Sequence, residues 1–219
     1  MMSARSFFAR LRRDTGGLAL LEFALVLPIF ITMSLTGAEL TCYITTKMRV
    51  SQLALQLADD AARMGEGSQL AAKTISETDI NDLFTGAQLQ SGEMDLKTNG
   101  RVILSDVEPM ANPNTSGKYK IGWQRCYGSK TAPAAPPSPA YYPRATASNI
   151  TGVGGANRLV GAQDGNATMF VEVYFVYKPL FSGALAPTSS FDEIASMSVR
   201  DRRDLTQIYN TEKATVSSC

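Results

Sequence analysis

The sequence predicts an α+β protein, a long N-terminal helix followed by a small antiparallel-sheet domain. Three observations lead there. Leu18–Ala38 is an apolar run of 21 residues in which Glu22 is the only charge. Apolar residues then recur at helical spacing as far as Met64. Beyond Gly65 the chain changes to short runs dense in β-branched and aromatic residues, separated by Gly- and Pro-rich stretches.

Taken in order, residues 1–17 form a basic leader with Arg5, Arg10, Arg12 and Arg13 against Asp14. A basic head before an apolar run is a topology signal, because positive segments stay on the cytoplasmic side of a membrane. As a helix, Leu18–Ala38 would be about 31 Å long, enough to cross the hydrocarbon core. The expected orientation has the N-terminus in the cytoplasm and the bulk outside. Leu40, Ile44, Met48, Ser51, Leu55, Ala58 and Ala62 extend the pattern as one stripe, widened by Leu53, Leu57, Ala61 and Met64. Residues 18–64 therefore read as one helix, with 18–38 transmembrane and a bend at Pro28, whose ring frees the carbonyl of Ala24. Gly65 and Gly67 supply its C-terminal caps.

Residues 65–219 read as an exported α+β domain. Short helices are expected at Ser68–Ile75 and Asp79–Phe84, the second capped by Thr78. Strands are expected at Arg101–Glu108, Lys118–Tyr127, Thr168–Lys178 and Ile194–Arg200, the clearest being the TMFVEVYFVYK run. The Pro-rich 129–147 and Gly-rich 151–165 stretches predict a long exposed loop over 129–165 without regular structure.

Composition narrows the chemistry. Of the 219 residues 44% are hydrophobic and 19% charged, and the net charge is +1, so no basic field for nucleic acid is expected. There is no histidine, which removes Ser-His-Asp hydrolases, Cys-His proteases and His-ligated zinc. Three cysteines without a CxxC pair argue against zinc ribbons and thioredoxin-like redox chemistry. No catalytic residue, metal ligand or cofactor is expected. Asp59-Asp60 reads as solvated helix surface, and Gly152-Val-Gly154-Gly155 lacks the preceding strand and following Lys-Ser/Thr of a nucleotide loop.

A carboxylate inside an apolar membrane helix is costly and is a functional candidate by default. The segment RRDTGGLALLEFALVLP sets Gly16-Gly17 at the junction, Leu18 first in the helix and Glu22 five residues in. This arrangement resembles the processing site of type IV pilin-like proteins. More narrowly it resembles the TadE/TadG-like family, minor pseudopilins of tight-adherence (Flp) pilus systems. WQRCYG at Trp123–Gly128, MFVEVYFVYKPLF at Met169–Phe181 and VRDRRDLTQIYN at Val199–Asn210 are similar to segments of longer TadE-like proteins.

The resemblance implies a pilin-like fold and a non-catalytic subunit of the bacterial inner membrane. Its partners would be a prepilin peptidase, other minor pilins and the major pilin, and the inner-membrane assembly platform. It implies cleavage between Gly17 and Leu18, with Glu22 the fifth mature residue. Leu18 and Glu22 share a helix face, so the amine created at Leu18 can pair with the same or a neighbouring carboxylate and set register.

Cys126 and Cys219 are the expected disulfide. Both lie in the exported part, while Cys42 sits at the membrane edge on a rigid helix and is expected to keep its thiol. The rival reading is a secreted protein with a conventional signal peptide, with a hydrolase using two carboxylates as its enzymatic form. Against it, the apolar run is longer than a signal core, holds Glu22 and Pro28, and ends in a poor cleavage site, Thr36-Gly37-Ala38.

Overall fold

The computed structural model describes residues 17–68, 71–131, 147–155, 158–181 and 186–219. It divides into two compact units, one of Met1–Tyr43 with Pro179–Pro187 and one of Ile44–Lys178 with Thr188–Cys219. The first helix, α1 (Leu18–Arg63), is 46 residues long and runs through Pro28 without interruption. Leu21 N–H donates to the Gly17 carbonyl at 3.1 Å, so the first helical turn closes on Gly17.

In its second half, α1 buries Val50, Leu53, Ala54, Leu57, Ala58, Ala61 and Ala62, a face at helical spacing. This corrects the stripe read from the sequence. Of that stripe Ile44, Met48 and Leu55 are more than half exposed, while its Ala58 and Ala62 pack together with Leu53, Leu57 and Ala61 of the row beside it.

The described residues of the stretch expected to be helical, Ser68 and 71–75, are not helical. Glu66 and Thr74 pair as an antiparallel bridge, exchanging two N–H···O bonds of 2.9 Å. Lys73 pairs with the 202–204 segment, donating to the Arg202 carbonyl and accepting from Asp204 N–H, both at 2.8 Å. Gly65 has φ +106°, and a Cβ there would run into the Thr74 carbonyl, so the glycine permits this return of the chain.

The next helix, α2 (Glu77–Ser91), is longer than the expected Asp79–Phe84, and Ser76 rather than Thr78 caps it. Ser76 and Asp79 form a reciprocal capping box, with Asp79 N–H donating to Ser76 Oγ and Ser76 N–H to Asp79 Oδ2. Thr78 instead donates its hydroxyl to Glu212 at 2.6 Å. Ile80, Phe84 and Ala87 are buried along one side of α2. A one-turn helix, α3 (Leu96–Asn99), follows, capped by the Asp95 side chain.

The domain is built on a four-stranded sheet of order β2-β1-β5-β6, antiparallel throughout. Its strands are β1 (Gly100–Pro109), β2 (Tyr119–Tyr127), β5 (Thr168–Val176) and β6 (Ser190–Ser198). The last begins four residues before the expected Ile194. Strand β1 is central and buried on both faces. On one side α2 meets β2, with Phe84 stacked on Tyr127 at 5.5 Å and Arg125 in a bidentate ion pair with Glu77. On the other, Val107, Ile121 and Phe170 form a cluster with Val153.

Val153 belongs to β3 (Val153–Gly155), which pairs with β4 (Arg158–Val160) as a separate two-stranded sheet. The Gly-rich stretch is thus partly regular and partly buried, contrary to the expected structureless loop. Gly152 and Gly154 have φ values of +144° and +131°, and a side chain at either would press on the β4 backbone. Glycine is what lets the pair form. Most of the Pro-rich loop, 132–146, lies outside the described residues.

Candidate functional site

The distinctive surface is the first half of α1. It is the one helix among the described residues long and apolar enough to cross a membrane, and none of its most apolar 18-residue window is buried. Leu20, Phe23, Leu25, Phe30 and Met33 are each more than three-fifths exposed. A contiguous apolar patch of this length marks a surface made for lipid or for other apolar helices.

Three threonine hydroxyls along this helix find partners within it. Thr32, Thr36 and Thr41 each donate a hydroxyl to the carbonyl four residues earlier, those of Pro28, Thr32 and Gly37, at 2.7–2.8 Å. Such bonds remove the hydroxyl's need for water, which a low-dielectric surrounding would not supply. Thr32 also occupies the carbonyl of the proline residue itself.

Leu18 and Glu22, one helical turn apart, are both exposed at the start of α1. Gly17 has nothing among the described residues within 4 Å of where a Cβ would stand. Residues 1–16 of the leader lie outside the described residues.

A second carboxylate, which the sequence reading did not single out, stands at the other end of the apolar run. Glu39 is wholly buried, and its Oε2 accepts the backbone N–H groups of Leu180 and Phe181 at 2.8 and 3.1 Å. The only sequence signal was its position, one residue beyond the apolar run.

Cys126 and Cys219 are joined by a disulfide with a Cα–Cα distance of 4.8 Å. The C-terminal segment is further tied down by Cys126 N–H donating to the Ser217 carbonyl at 2.8 Å. Asn81 on α2 donates to the Thr215 carbonyl and accepts from the Ser217 hydroxyl. Cys42, half-buried on α1, lies outside the bridge.

Several other charges of the domain form ion pairs. Asp59 pairs with Arg63 and Arg200, and Asp60 with Arg63. Within the sheet, Asp106 and Glu108 both lie against Gly122, where any Cβ would strike the Glu108 carboxylate. The β1–β2 register shifts at this point, and the shift leaves the two acids side by side. Burial, then the neighbouring Glu108, pushes the Asp106 carboxyl well above the usual carboxylate range, while Arg203 and Lys120 pull it back. Lys120 pairs with Glu108 at 2.9 Å. A surface cavity of about 440 Å³ beside the disulfide is lined by neither acid. No family model, curated protein or solved structure matches the chain.

Proposed function

We propose that the chain is a minor pilin-like subunit of the TadE/TadG-like kind, anchored in the bacterial inner membrane and assembled through α1. The observation that carries this reading is the uncovered apolar helix starting directly after Gly17, with Glu22 one turn in. The leader stays in the cytoplasm, the segment 18–38 spans the membrane, and the sheet domain faces the periplasm.

A prepilin peptidase cuts after Gly17. Before the cut Leu18 carries an amide and offers Glu22 no charge. Afterwards it carries an α-amine, whose ordinary pKa of about 7.7–8.0 keeps it largely protonated at neutral pH. Within a low-dielectric core of packed helices an unpaired carboxylate is strongly disfavoured, so Glu22 seeks the amine of its own or a neighbouring subunit. That pairing sets the axial register of incoming subunits, whether minor or major pilins. The exposed row Leu40, Ile44, Met48 and Leu55 continues the contact surface beyond the membrane.

The continuity of α1 supports an anchor over a removable signal. Cleavage after Ala38 would sever a 46-residue helix near its middle and release Glu39 from the helix that positions it. The test is removal of the chain from its native cell, with surface pili counted by electron microscopy. Loss of pili, restored by the full-length chain, supports the role; undiminished pili reject it.

A further inference from the structure

We propose that Leu180 and Phe181 form a hydrophobic foot that enters the lipid interface where α1 leaves the membrane, with Glu39 as the residue that holds it. This rests on the reading of α1 as a membrane span. The foot, the carboxylate and the apolar helix all belong to one compact unit, Met1–Tyr43 with Pro179–Pro187.

Two neighbouring large apolar side chains, Leu180 at 57% and Phe181 at 51%, stand exposed beside a helix whose apolar surface is also exposed. Their level along the helix follows from the residue that grips them. Glu39 directly follows the run Leu18–Ala38, which at 1.5 Å per residue is about as long as the hydrocarbon core is thick. The foot therefore meets the boundary between acyl chains and headgroups, continuous with the lipid-facing surface of α1.

Irregular backbone enters such a region only when its N–H groups have partners. Here the two consecutive N–H groups of Leu180 and Phe181 share Glu39 Oε2, and the carboxylate is fully covered. One acceptor thus satisfies the donors of the residues that enter, leaving their side chains to carry the lipid contact. Lipid is favoured over a protein partner because the apolar exposure is continuous with that of the span itself.

The experiment uses the full chain in phosphatidylcholine vesicles, with lipids brominated either close to the headgroup or deep in the acyl chains. Tryptophan is introduced as Phe181→Trp, or as Phe30→Trp within the span, and the emission of native Trp123 is subtracted using the parent chain. The foot predicts loss of Phe181→Trp emission with the shallow bromines and little with the deep ones, while Phe30→Trp is quenched mainly by the deep ones. Adding Glu39→Leu should reduce the shallow quenching, and Glu39→Gln, which keeps an acceptor, should preserve it. Quenching of Phe30→Trp with none of Phe181→Trp overturns the foot and leaves the span intact. Quenching at neither position overturns the span and the foot together. A Phe181→Trp spectrum that is blue-shifted yet insensitive to both lipids places the residue against protein and also overturns the foot.

Discussion

Arg203 donates from Nη2 to the carbonyl oxygen of Met64 at 2.8 Å, 139 residues earlier in the chain. The same nitrogen reaches the Ala61 carbonyl at 3.1 Å. A helix leaves its last carbonyls without partners, and a cation there also meets the negative end of the helix dipole. The C-terminal segment thus closes the end of α1 and ties its second half, from Ile44 onward, to the domain.

Replacing Arg203 with Met removes this cap and leaves Asp106 without its nearby guanidinium. We predict a loss of about 2–3 kcal/mol, the scale of hydrogen bonds to a charged group. Denaturant unfolding of the detergent-solubilised full chain measures it. Adding Asp106→Asn should recover part of the loss, because the two groups interact and their effects are not additive. A fully additive pair would refute the coupling.

Asp106 predicts a pH dependence. Its folded pKa is raised above the ordinary value, chiefly by burial and next by Glu108. The folded state therefore holds this proton when the unfolded state has released it. Stability falls as pH rises from the usual carboxylate range, near 4, up through the raised value. Asp106→Asn, which mimics the protonated form, should stabilise the chain increasingly across that window and leave acidic conditions unchanged. Unfolding midpoints taken across pH check this, and a constant offset at every pH would contradict it.

The Cys126–Cys219 bridge spans a sequence separation of 93 residues. On the chain-entropy relation such a closure contributes at most roughly 4–5 kcal/mol. Cys219→Ser should lower stability toward that limit and expose the segment after Asn210 to proteolysis. Peptide mapping without reductant should find Cys126 and Cys219 in one linked species and Cys42 outside it.

Elements governed by local pattern were legible in the sequence. The dense β-branched and aromatic run at Thr168 is β5, and the unbroken apolar spacing is α1. The cap of α2 was misread: Thr78 was expected, whereas Ser76 and Asp79 form the capping box and the helix starts at Glu77. Other features depend on residues far apart in the chain. Lys73 pairs with the 202–204 segment, which no local propensity announces, so Ser68–Ile75 looked helical. The β3–β4 pair forms because Gly152 and Gly154 tolerate positive φ, where composition alone suggests a loop. Which residues of the two adjacent apolar rows on α1 pack depends on where the sheet domain meets the helix: Ala58 and Ala62 are covered, while Ile44, Met48 and Leu55 of the same row are not. Glu39 acquires its role only when the segment after β5 returns to the helix.

On the proposed reading Glu22 serves assembly and not processing. Glu22→Ala deletes a charge from the apolar helix, so anchoring should improve and cleavage should persist. We predict reduced incorporation into pili all the same, because the register pair is lost. Gel mobility reports cleavage and microscopy reports pili in the same cells. Normal piliation would reduce Glu22 to a surface carboxylate reaching for the headgroups.

The central claim is that a peptidase converts this chain into an assembly subunit by cutting at the glycine junction. Intact mass of the protein extracted from membranes of its native cell tests this most directly. The account predicts a mature chain of residues 18–219 beginning at Leu18, carrying one disulfide. A mature chain beginning near Glu39 would contradict it and mark the apolar segment as a discarded secretion signal.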